Sequence, residues 1–244
     1  MDRLIYTSMS GAKFLLERQA TLANNLANAT TTGFRADTVG LRAVPAVSPQ
    51  AGTRVFTVET TTGADFSQGP LTATGRTLDV AMQGQGWLAV QTGDGSEAYT
   101  RDGALQVGPD GVLQLANGLQ VQGTGGPVSI PADAQTILIA ADGTVTVKGA
   151  SSLQPATVGQ LKLVNPPTTD LVKGTDGLFR TQSGQAADAD PTVRVADGTL
   201  EGSNVNVVEA MVGMIAASRQ FELQMKMLST AEQNEQKASS VIGS

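Results

Sequence analysis

The sequence contains neither cysteine nor histidine. Without these residues the chain cannot form disulfide bridges, Cys- or His-ligated zinc sites, or a Ser or Cys nucleophile activated by an imidazole. Several enzyme classes and most transition-metal sites are thereby excluded. The absence of cysteine is compatible with the cytosol, and equally with export of an unfolded chain into an oxidising compartment. It therefore does not identify the compartment.

Basic clusters, aromatic residues and long apolar runs are also scarce. The net charge is −6, the sequence pI is near 4.6, and aromatic residues make up 4% of the chain. Clustered Lys and Arg drive nucleic-acid binding by releasing counterions; no such cluster occurs, so this partner is not expected. No run approaches the roughly 20 apolar residues of a membrane span, and the amino terminus lacks the pattern of a cleaved signal peptide.

The amino-terminal end has the periodicity of an amphipathic helix. From Leu4 to Ala27, apolar residues recur at steps of three and four, which predicts a helix with one apolar side. The pattern stops at Asn28. The residues that follow, 30–33, combine β-branched side chains with a glycine, and this combination ends helices.

The carboxyl-terminal end predicts a longer helix, from about Val205 to about Ser239, capped by Ser203 or Asn204. A helix of that length extends roughly 50 Å, too far for a small β domain to cover. Its apolar stripe therefore needs a partner, either the amino-terminal helix or a neighbouring subunit, and both alternatives remain open at this point. The stripe follows a heptad, as in a coiled coil: Met211, Met214, Ser218, Phe221, Met225 and Leu228.

Between the two ends, apolar and polar residues alternate in short runs, which is typical of strands. Such runs occur at 55–58, 78–82, 87–90, 113–115, 136–139, 145–147, 160–164 and 192–195. Asn-Gly and Asp-Gly pairs between them are signals for tight hairpins. These pairs begin at Asp94, Asp102, Asp110, Asn117, Asp142, Asp176 and Asp197. The middle of the chain is therefore predicted to be antiparallel β, not a βαβ enzyme core.

Together these patterns predict an α+β fold. An antiparallel β-rich central domain is expected to be flanked by long N- and C-terminal α-helices that pair as a coiled coil. Residues 36–54 carry Pro45, Pro49 and Gly52 with little periodicity, which predicts a connector. The expected division is an N-terminal helix at 1–35, an extended connector at 36–76, a β-rich outer domain at 77–200 and a C-terminal helix at 201–244.

Paired carboxylates are the feature that could support catalysis. Asp94 with Glu97, or Asp188 with Asp190, could supply the acid and base of a glycosidase acting on peptidoglycan, which lie about 5–10 Å apart. Both pairs stand in Gly- or Ala-rich stretches without an aromatic sugar platform, so we interpret them as solvated loops. Trp87 is expected to anchor the core. No catalytic residue, cofactor or metal site is predicted, and a cell-wall-binding or hydrolysing β module is kept as an alternative.

Motifs at both ends carry a resemblance to a known family. The segments ANNLAN at 23–28 and TTGFR at 31–35 are followed, near the other end, by LEGSNVNVVE at 200–209. These segments resemble the terminal signatures shared by flagellar rod and hook proteins. Further similarity to the proximal-rod branch of that family is carried by MDRLIY at 1–6, TGRTLDVA at 74–81, GW at 86–87, YTRDG at 99–103 and LVNPP at 163–167. The distal-rod branch, which usually opens differently and carries Phe where Trp87 stands, is the alternative.

The resemblance implies a structural subunit and not an enzyme. In this family, terminal helices form the inner tube of the flagellar rod and β domains face outward. The implied partners are copies of the chain, other proximal and distal rod proteins, the MS-ring region and the flagellar export apparatus, with no nucleic acid and no membrane insertion. The implied location is the basal body, crossing the periplasm, reached through flagellar type III export without a cleaved signal peptide.

The residues expected to act in assembly belong to the two signatures and to the apolar stripe of the second helix. The asparagines among them could cap helices or bond across subunits, and the two roles are compatible. The set comprises Asn24, Asn25, Leu26, Asn28, Thr32, Gly33, Phe34, Ser203, Asn204, Asn206, Met211, Met214, Phe221, Met225 and Leu228.

Overall fold

The computed structural model describes residues 2–45, 55–150 and 154–242 of the chain. Two compact units are present. Unit 1 consists of Met1–Ala29, Asp37–Asp65 and Val205–Ser244, and unit 2 consists of Thr30–Ala36 and Phe66–Asn204. The chain therefore passes from one unit to the other four times, after residues 29, 36, 65 and 204.

In the part of unit 1 that the structure describes, there are two helices and one pair of antiparallel strands. Its elements are α1 (Asp2–Ala27), β1 (Asp37–Pro45), β2 (Val55–Ala64) and α2 (Val207–Ile242). β1 pairs antiparallel with β2, from Asp37 opposite Ala64 to Pro45 opposite Val55. The prediction of a connector at 36–54 is wrong for residues 37–45, where Val39, Leu41 and Ala43 alternate with more polar residues, as in a strand. The rest of that segment, 46–54, lies outside the described residues.

The two helices of unit 1 contact each other through small residues. Ala12 on α1 and Ala210 and Ala217 on α2 are buried. A Cβ atom placed on Gly213 would lie 3.2 Å from Cδ1 of Leu22. Close approach of this kind depends on short side chains at the contact.

The predicted fold class is therefore wrong in its account of the helices. α1 has 26 residues against 36 in α2, so the amino-terminal helix is the short one, and it does not pair with α2 as a coiled coil. The predicted heptad seam is only partly packed, because Met211 is 48% exposed and Met225 is 46% exposed, whereas its other members are half-buried. The heptad prediction selected apolar residues by their spacing and did not identify the buried Ala210 and Ala217.

The start of α2 also differs from the prediction. The side-chain oxygen of Asn206 accepts hydrogen bonds from the backbone N–H groups of Val208 (3.1 Å) and Glu209 (3.2 Å). Asn206 is therefore the residue that caps the helix, two or three positions after the predicted Asn204 or Ser203. Glu209 stands in the first turn, where its negative charge is favourable to the helix dipole.

The described residues of unit 2 form sixteen short strands and one 3₁₀ turn at Thr168–Asp170. The strands are β3 (Leu71–Ala73), β4 (Val80–Gln83), β5 (Trp87–Gln91), β6 (Glu97–Thr100), β7 (Leu105–Val107), β8 (Leu113–Leu115), β9 (Gln120–Gly123), β10 (Gly126–Pro127), β11 (Ala134–Ile139), β12 (Thr144–Gly149), β13 (Ala156–Gln160), β14 (Leu163–Val164), β15 (Leu171–Lys173), β16 (Phe179–Thr181), β17 (Arg194–Asp197) and β18 (Thr199–Glu201).

Every strand pairing in the described residues is antiparallel. The largest sheet has the order β15-β16-β6-β5-β9-β8-β7, with β10 beside β9 and β14 beside β5. A second sheet contains β11-β12-β13, and two smaller ones pair β17 with β4 and β18 with β3. In the last of these, Glu201 stands opposite Leu71, which brings the end of the β region back to its beginning.

The Asp-Gly and Asn-Gly pairs have two different structural roles. Five of the seven lie between strands that pair as antiparallel neighbours, and the glycine of each has positive φ; these begin at Asp94, Asp110, Asn117, Asp142 and Asp176. Gly198 also has positive φ, but the strands on either side of it pair elsewhere. Gly103 is a glycine for another reason, because a Cβ there would clash with the carbonyl oxygen of Val80.

The core of unit 2 is aliphatic with one aromatic group at its edge. Fully buried residues include Val80, Leu88, Leu105, Leu113 and Leu161. The ring of Trp87, which is 3% exposed, lies 4.5 Å from that of Phe179 and 6.0 Å from that of Phe66 between centroids. The prediction that this tryptophan anchors the core is confirmed.

Candidate functional site

Two segments distant in sequence meet inside unit 2: residues 30–36 from the first signature and residues 201–204 from the second. The backbone N–H of Gly33 donates to the carbonyl oxygen of Glu201 at 2.7 Å. The N–H of Ala36 donates to the side-chain oxygen of Asn204 at 2.7 Å, and the N–H of Asn204 donates to the carbonyl of Phe34 at 3.3 Å. The segments are thus joined by backbone-directed hydrogen bonds at three points.

Gly33 allows the first segment to approach the β structure closely. Its φ is +67°, in the left-handed region, and a Cβ there would come within 3.0 Å of the peptide joining Arg101 to Asp102. Any other residue would combine backbone strain with a steric clash. The glycine of the TTGFR motif is therefore required by the geometry of this contact.

The centre of the contact is a cluster of three buried charged residues, Arg35, Arg101 and Glu201, which we call the clasp. Nη2 of Arg35 lies 2.6 Å from Oε1 of Glu201, and Nη1 of Arg101 lies 3.0 Å from Oε2. The side chains of Arg35 and Glu201 are 0% exposed and that of Arg101 is 5% exposed. Oε1 also accepts the backbone N–H of Gly69 at 3.0 Å.

Two guanidinium groups share one carboxylate in the clasp. Burial lowers the pKa of Arg101, and the neighbouring Arg35 lowers it further, while Glu201 acts in the opposite direction. Nη2 of Arg101 also donates to the carbonyl of Gly84 at 2.7 Å, and its guanidinium lies 5.3 Å from the centre of the Trp87 ring. Arg101 is thus held from three sides.

Arg35 is held mainly by charge. Its contact with Glu201 is short, but the direction of the N–H does not meet hydrogen-bond geometry, and its Nε and Nη1 have no hydrogen-bond partner among the described residues. Buried ion pairs of this kind cost desolvation energy and are a weak source of stability, but removing one partner is costly. The clasp therefore constrains where its members lie more than it stabilises the fold.

Lys173 holds the first segment from the β15 side. Its Nζ donates to the carbonyl oxygen of Arg35 at 2.7 Å and lies 3.9 Å from the centre of the Phe34 ring. A cation over an aromatic face is attracted by the ring quadrupole. Phe34 and the Arg35 backbone are thereby held to the same strand.

The asparagines of the first signature lie in unit 1. The Asn25 amide pairs with the backbone of Asp37, accepting its N–H at 2.8 Å and donating to its carbonyl at 2.9 Å. Nδ2 of Asn28 donates to the carbonyl of Asn24 at 3.0 Å, one turn back on α1. Leu26 is half-buried, as is Thr32 in unit 2. The side chains of the three asparagines are thus bonded within the subunit, and a role across subunits stays a prediction.

The first half of α2 is apolar on both sides. Ala210 and Ala217 face inward and are buried, and Met214 is half-buried. The opposite side, which we call the outer face, comprises Val208 (70% exposed), Met211 (48%), Val212 (61%) and Ile215 (57%). A helix that is apolar all round is normally covered on all sides. Further along, Phe221 and Leu228 are half-buried.

Three family models match the chain. "Flagella basal body rod protein" covers residues 5–35, "Flagellar hook protein FlgE/F/G D1 domain" covers 81–147, and "Flagellar basal body rod FlgEFG protein C-terminal" covers 196–241. The flagellar basal-body rod protein FlgF of Escherichia coli (strain K12) is 48% identical over 99% of both chains. The chain belongs to the flagellar basal-body rod protein family.

Within the rod protein family, the two relatives that exceed 45% identity among those compared are FlgF-type proteins. FlgF of Salmonella typhimurium is 46% identical over 99% of both chains. FlgG of Buchnera aphidicola subsp. Baizongia pistaciae is 34% identical, covering 89% of this chain and 91% of its own. The family and branch that the motifs predicted are confirmed.

Asp94 and Glu97, one of the two carboxylate pairs considered for catalysis, are engaged in local structure. Asp94 accepts hydrogen bonds from the Ser96 N–H (3.1 Å) and hydroxyl (2.8 Å) and from the Thr92 hydroxyl, and these, the Thr92 bond first, lower its pKa to about 2. Glu97 pairs with Lys162 at 2.7 Å and accepts the Tyr99 hydroxyl at 2.9 Å. A glycosidase acid needs a raised pKa. Asp94 has the opposite shift.

Arg35, Arg101 and Glu201 all lie in the sequence motifs, but the sequence did not predict that they contact one another. Lys173 was not predicted to have a role. A buried charge needs a buried counter-charge. A basic residue in one glycine-containing signature and an acidic residue in the other could therefore have suggested that the two signatures form an ion pair.

Among the described residues, no helix has the length and apolar character needed to cross a membrane.

Proposed function

We propose that this chain is a structural subunit of the proximal part of the bacterial flagellar rod. Subunits add helically and build the drive shaft and the wall of the export channel. The observation that carries the proposal is the outer face of α2. Its four apolar side chains are 48–70% exposed in the isolated subunit, and burying such a side chain contributes roughly 1.5–3 kcal/mol.

The two-sided apolar character of α2 favours packing against other subunits. The inner side of the helix is already occupied within unit 1, so the outer face is available to a neighbour. Contacts between different patches on successive copies do not close, and they generate a helical array in place of a ring. Repetition of the same contact along the array gives a stiff shaft.

The signature residues and the stripe are proposed to act in this assembly in two ways. Met211 and Met225 are exposed and can contact a neighbour directly. Met214, Phe221 and Leu228 are half-buried and Ser203 is buried, so their contribution is to hold the subunit in shape. The partners are further copies, other proximal and distal rod proteins, the MS-ring region and the export apparatus, and the route is flagellar type III export into the periplasm-crossing basal body.

The division into inner-tube helices at 1–35 and 201–244 and an outer β domain at 77–200 belongs to this proposal, which concerns the assembled rod. The predicted extended connector at 36–76 joins them and includes the strands β1 and β2. No enzymatic role is proposed, because Asp94 and Glu97 are engaged in a turn and an ion pair. The distal rod is the second candidate for position, supported by the 34% identity to FlgG-type relatives.

The test uses a motile bacterium that lacks its own FlgF-type rod protein. The chain is produced with an epitope tag inserted at Gly125, where an added Cβ would meet nothing within 4 Å. Restored motility with the tag at the proximal end of isolated rods is expected. Labelling along the distal rod would instead favour the FlgG-like role. Intact, functional rods that contain none of the tagged chain would reject both positions.

A further inference from the structure

Residues 30–36 belong to unit 2, although the residues on both sides of them belong to unit 1. The second signature, 201–204, ends the same unit. Two residues, Asn28 and Ala29, separate the end of α1 from the first of these segments. Two residues, Val205 and Asn206, separate Asn204 from the start of α2. The clasp therefore lies next to the attachment points of both helices along the chain.

Glu201 is the residue common to all parts of the clasp. Its carboxylate contacts Arg35 of the first signature, Arg101 of the β structure and the Gly69 N–H, and its backbone carbonyl accepts the Gly33 N–H. No other side chain among the described residues of the clasp contacts both signatures and the β structure. Its removal would leave two buried guanidinium groups facing each other.

We propose that Glu201 is the positioning residue that couples the two signature segments, so that they dock in unit 2 and open from it as one cooperative piece in the free subunit. Both terminal helices then start from fixed anchors before the subunit meets a neighbour. Ordering these anchors in advance lowers the entropy cost of association. The relevance to the rod rests on the proposed function, whereas the coupling itself is a property of the isolated chain.

The discriminating variant is Glu201→Gln. The amide has the same shape but offers one acceptor oxygen and an NH₂ group, so whichever way it is oriented, a donor faces Gly69 and Arg35 or faces Arg101. The matched control is Asp197→Asn, which removes one negative charge from an exposed position on β17, the strand that precedes β18 in the chain. The measurement is amide hydrogen exchange of the full purified chain, resolved by segment.

In Glu201→Gln, exchange at the Gly33 and Ala36 amides should rise at least tenfold, and exchange at Gly202 and Asn204 should rise by a similar factor. Core amides such as Leu113 should be unchanged, and Asp197→Asn should match the unaltered chain. The proposal is overturned if segment 30–36 keeps its protection, if only one segment opens, or if all amides of unit 2 accelerate equally.

If Glu201→Gln does not fold, Arg35→Met tests the coupling instead. This variant keeps the Arg101–Glu201 pair and removes only the link to the first signature. Exchange at 30–36 should rise and 201–204 should follow. Protection retained at 30–36 would overturn the coupling. These exchange measurements need no rod, so a variant with normal exchange and lost motility would count against the rod contacts and not against the clasp.

Discussion

Gly69 and Gly202 lie so close that a Cβ on Gly69 would come within 3.0 Å of the carbonyl oxygen of Gly202. Gly69 precedes β3 and Gly202 follows β18, so both lie at the same end of this antiparallel strand pair, where the N–H of Gly202 donates to the carbonyl of Pro70 at 2.8 Å. Gly69 itself donates to Glu201. A backbone contact this tight has no room for a methyl group.

Gly69→Ala is therefore expected to destabilise unit 2 by roughly 1–3 kcal/mol, the usual cost of overpacking. Urea unfolding of the purified protein measures the change. Gly125→Ala is the matched control, because a Cβ there meets nothing within 4 Å, and its midpoint should be close to that of the unaltered chain. Equal midpoints for the two variants would mean that the contact at Gly69 is looser than described.

The environment of Tyr99 predicts that the folded protein loses stability at high pH. Its hydroxyl donates to Glu97 at 2.9 Å and accepts the Ala187 N–H at 2.6 Å. Burial, with Glu97 adding to it, raises the pKa of Tyr99 to about 12 from an ordinary 10. Since the folded state holds the proton more tightly than the unfolded state, its contribution is complete below about pH 10 and is lost as the pH rises towards 12.

The measurement is the difference in unfolding free energy between the unaltered chain and Tyr99→Phe at a series of pH values. The difference should be constant from pH 7 to 9 and should shrink above pH 10. Subtraction of the variant removes the effects of lysines that titrate in the same range. A difference that stays constant up to pH 12 would contradict the raised pKa.

Asp94 predicts the opposite dependence in acid. Hydrogen bonds from Thr92 and Ser96 lower its pKa to about 2, so its stabilising effect is present above the ordinary Asp pKa and is lost as the pH falls towards 2. Asp94→Asn should be less stable than the unaltered chain at pH 7, and the two should converge near pH 2. Thr92→Val, which removes the main donor, should reproduce part of the loss. Motility should not change in either variant.

A substitution at Ile215 distinguishes an effect on assembly from an effect on folding. It is 57% exposed on the outer face of α2, so Ile215→Asp should change the unfolding free energy of the purified subunit by less than about 0.5 kcal/mol. The same variant should fail to enter rods, because a charge would be buried against the neighbouring subunit. Gln220→Asp adds the same charge at an exposed polar position of the same helix and should remain motile. Normal rods with Ile215→Asp would remove the outer face from the assembly contact.

The parts of the fold that were predictable depend on local chemistry. Alternation located strands such as β8 and β12, and Asp-Gly pairs such as Asp142-Gly143 marked the hairpins, because positive φ is a requirement of the turn itself. Gly103 shows the limit of this reasoning. Its sequence context is the same, but it is required by the approach of Val80, which no local pattern records.

The parts that were not predictable depend on residues that are distant in sequence. Arg35 and Glu201 each stood in a recognised motif, but their pairing follows from the return of β18 to β3. The prediction of the packed surface of α2 was wrong at Met211 for a related reason. Apolar periodicity identifies residues that avoid water, such as Met211, but it does not reveal that Gly213 and Ala217 set the closest approach.

The division of unit 2 between residues 30–36 and 66–204 constrains the order in which the molecule can be completed. A nascent chain presents Arg35 early, but its counter-charge emerges only after almost all of the β strands. Until then the TTGFR loop has no site to enter, and Arg35 stays hydrated. Closure of the clasp is thus a late step, and a fragment that starts at Phe66 would carry the Arg101–Glu201 pair without the first signature that completes it.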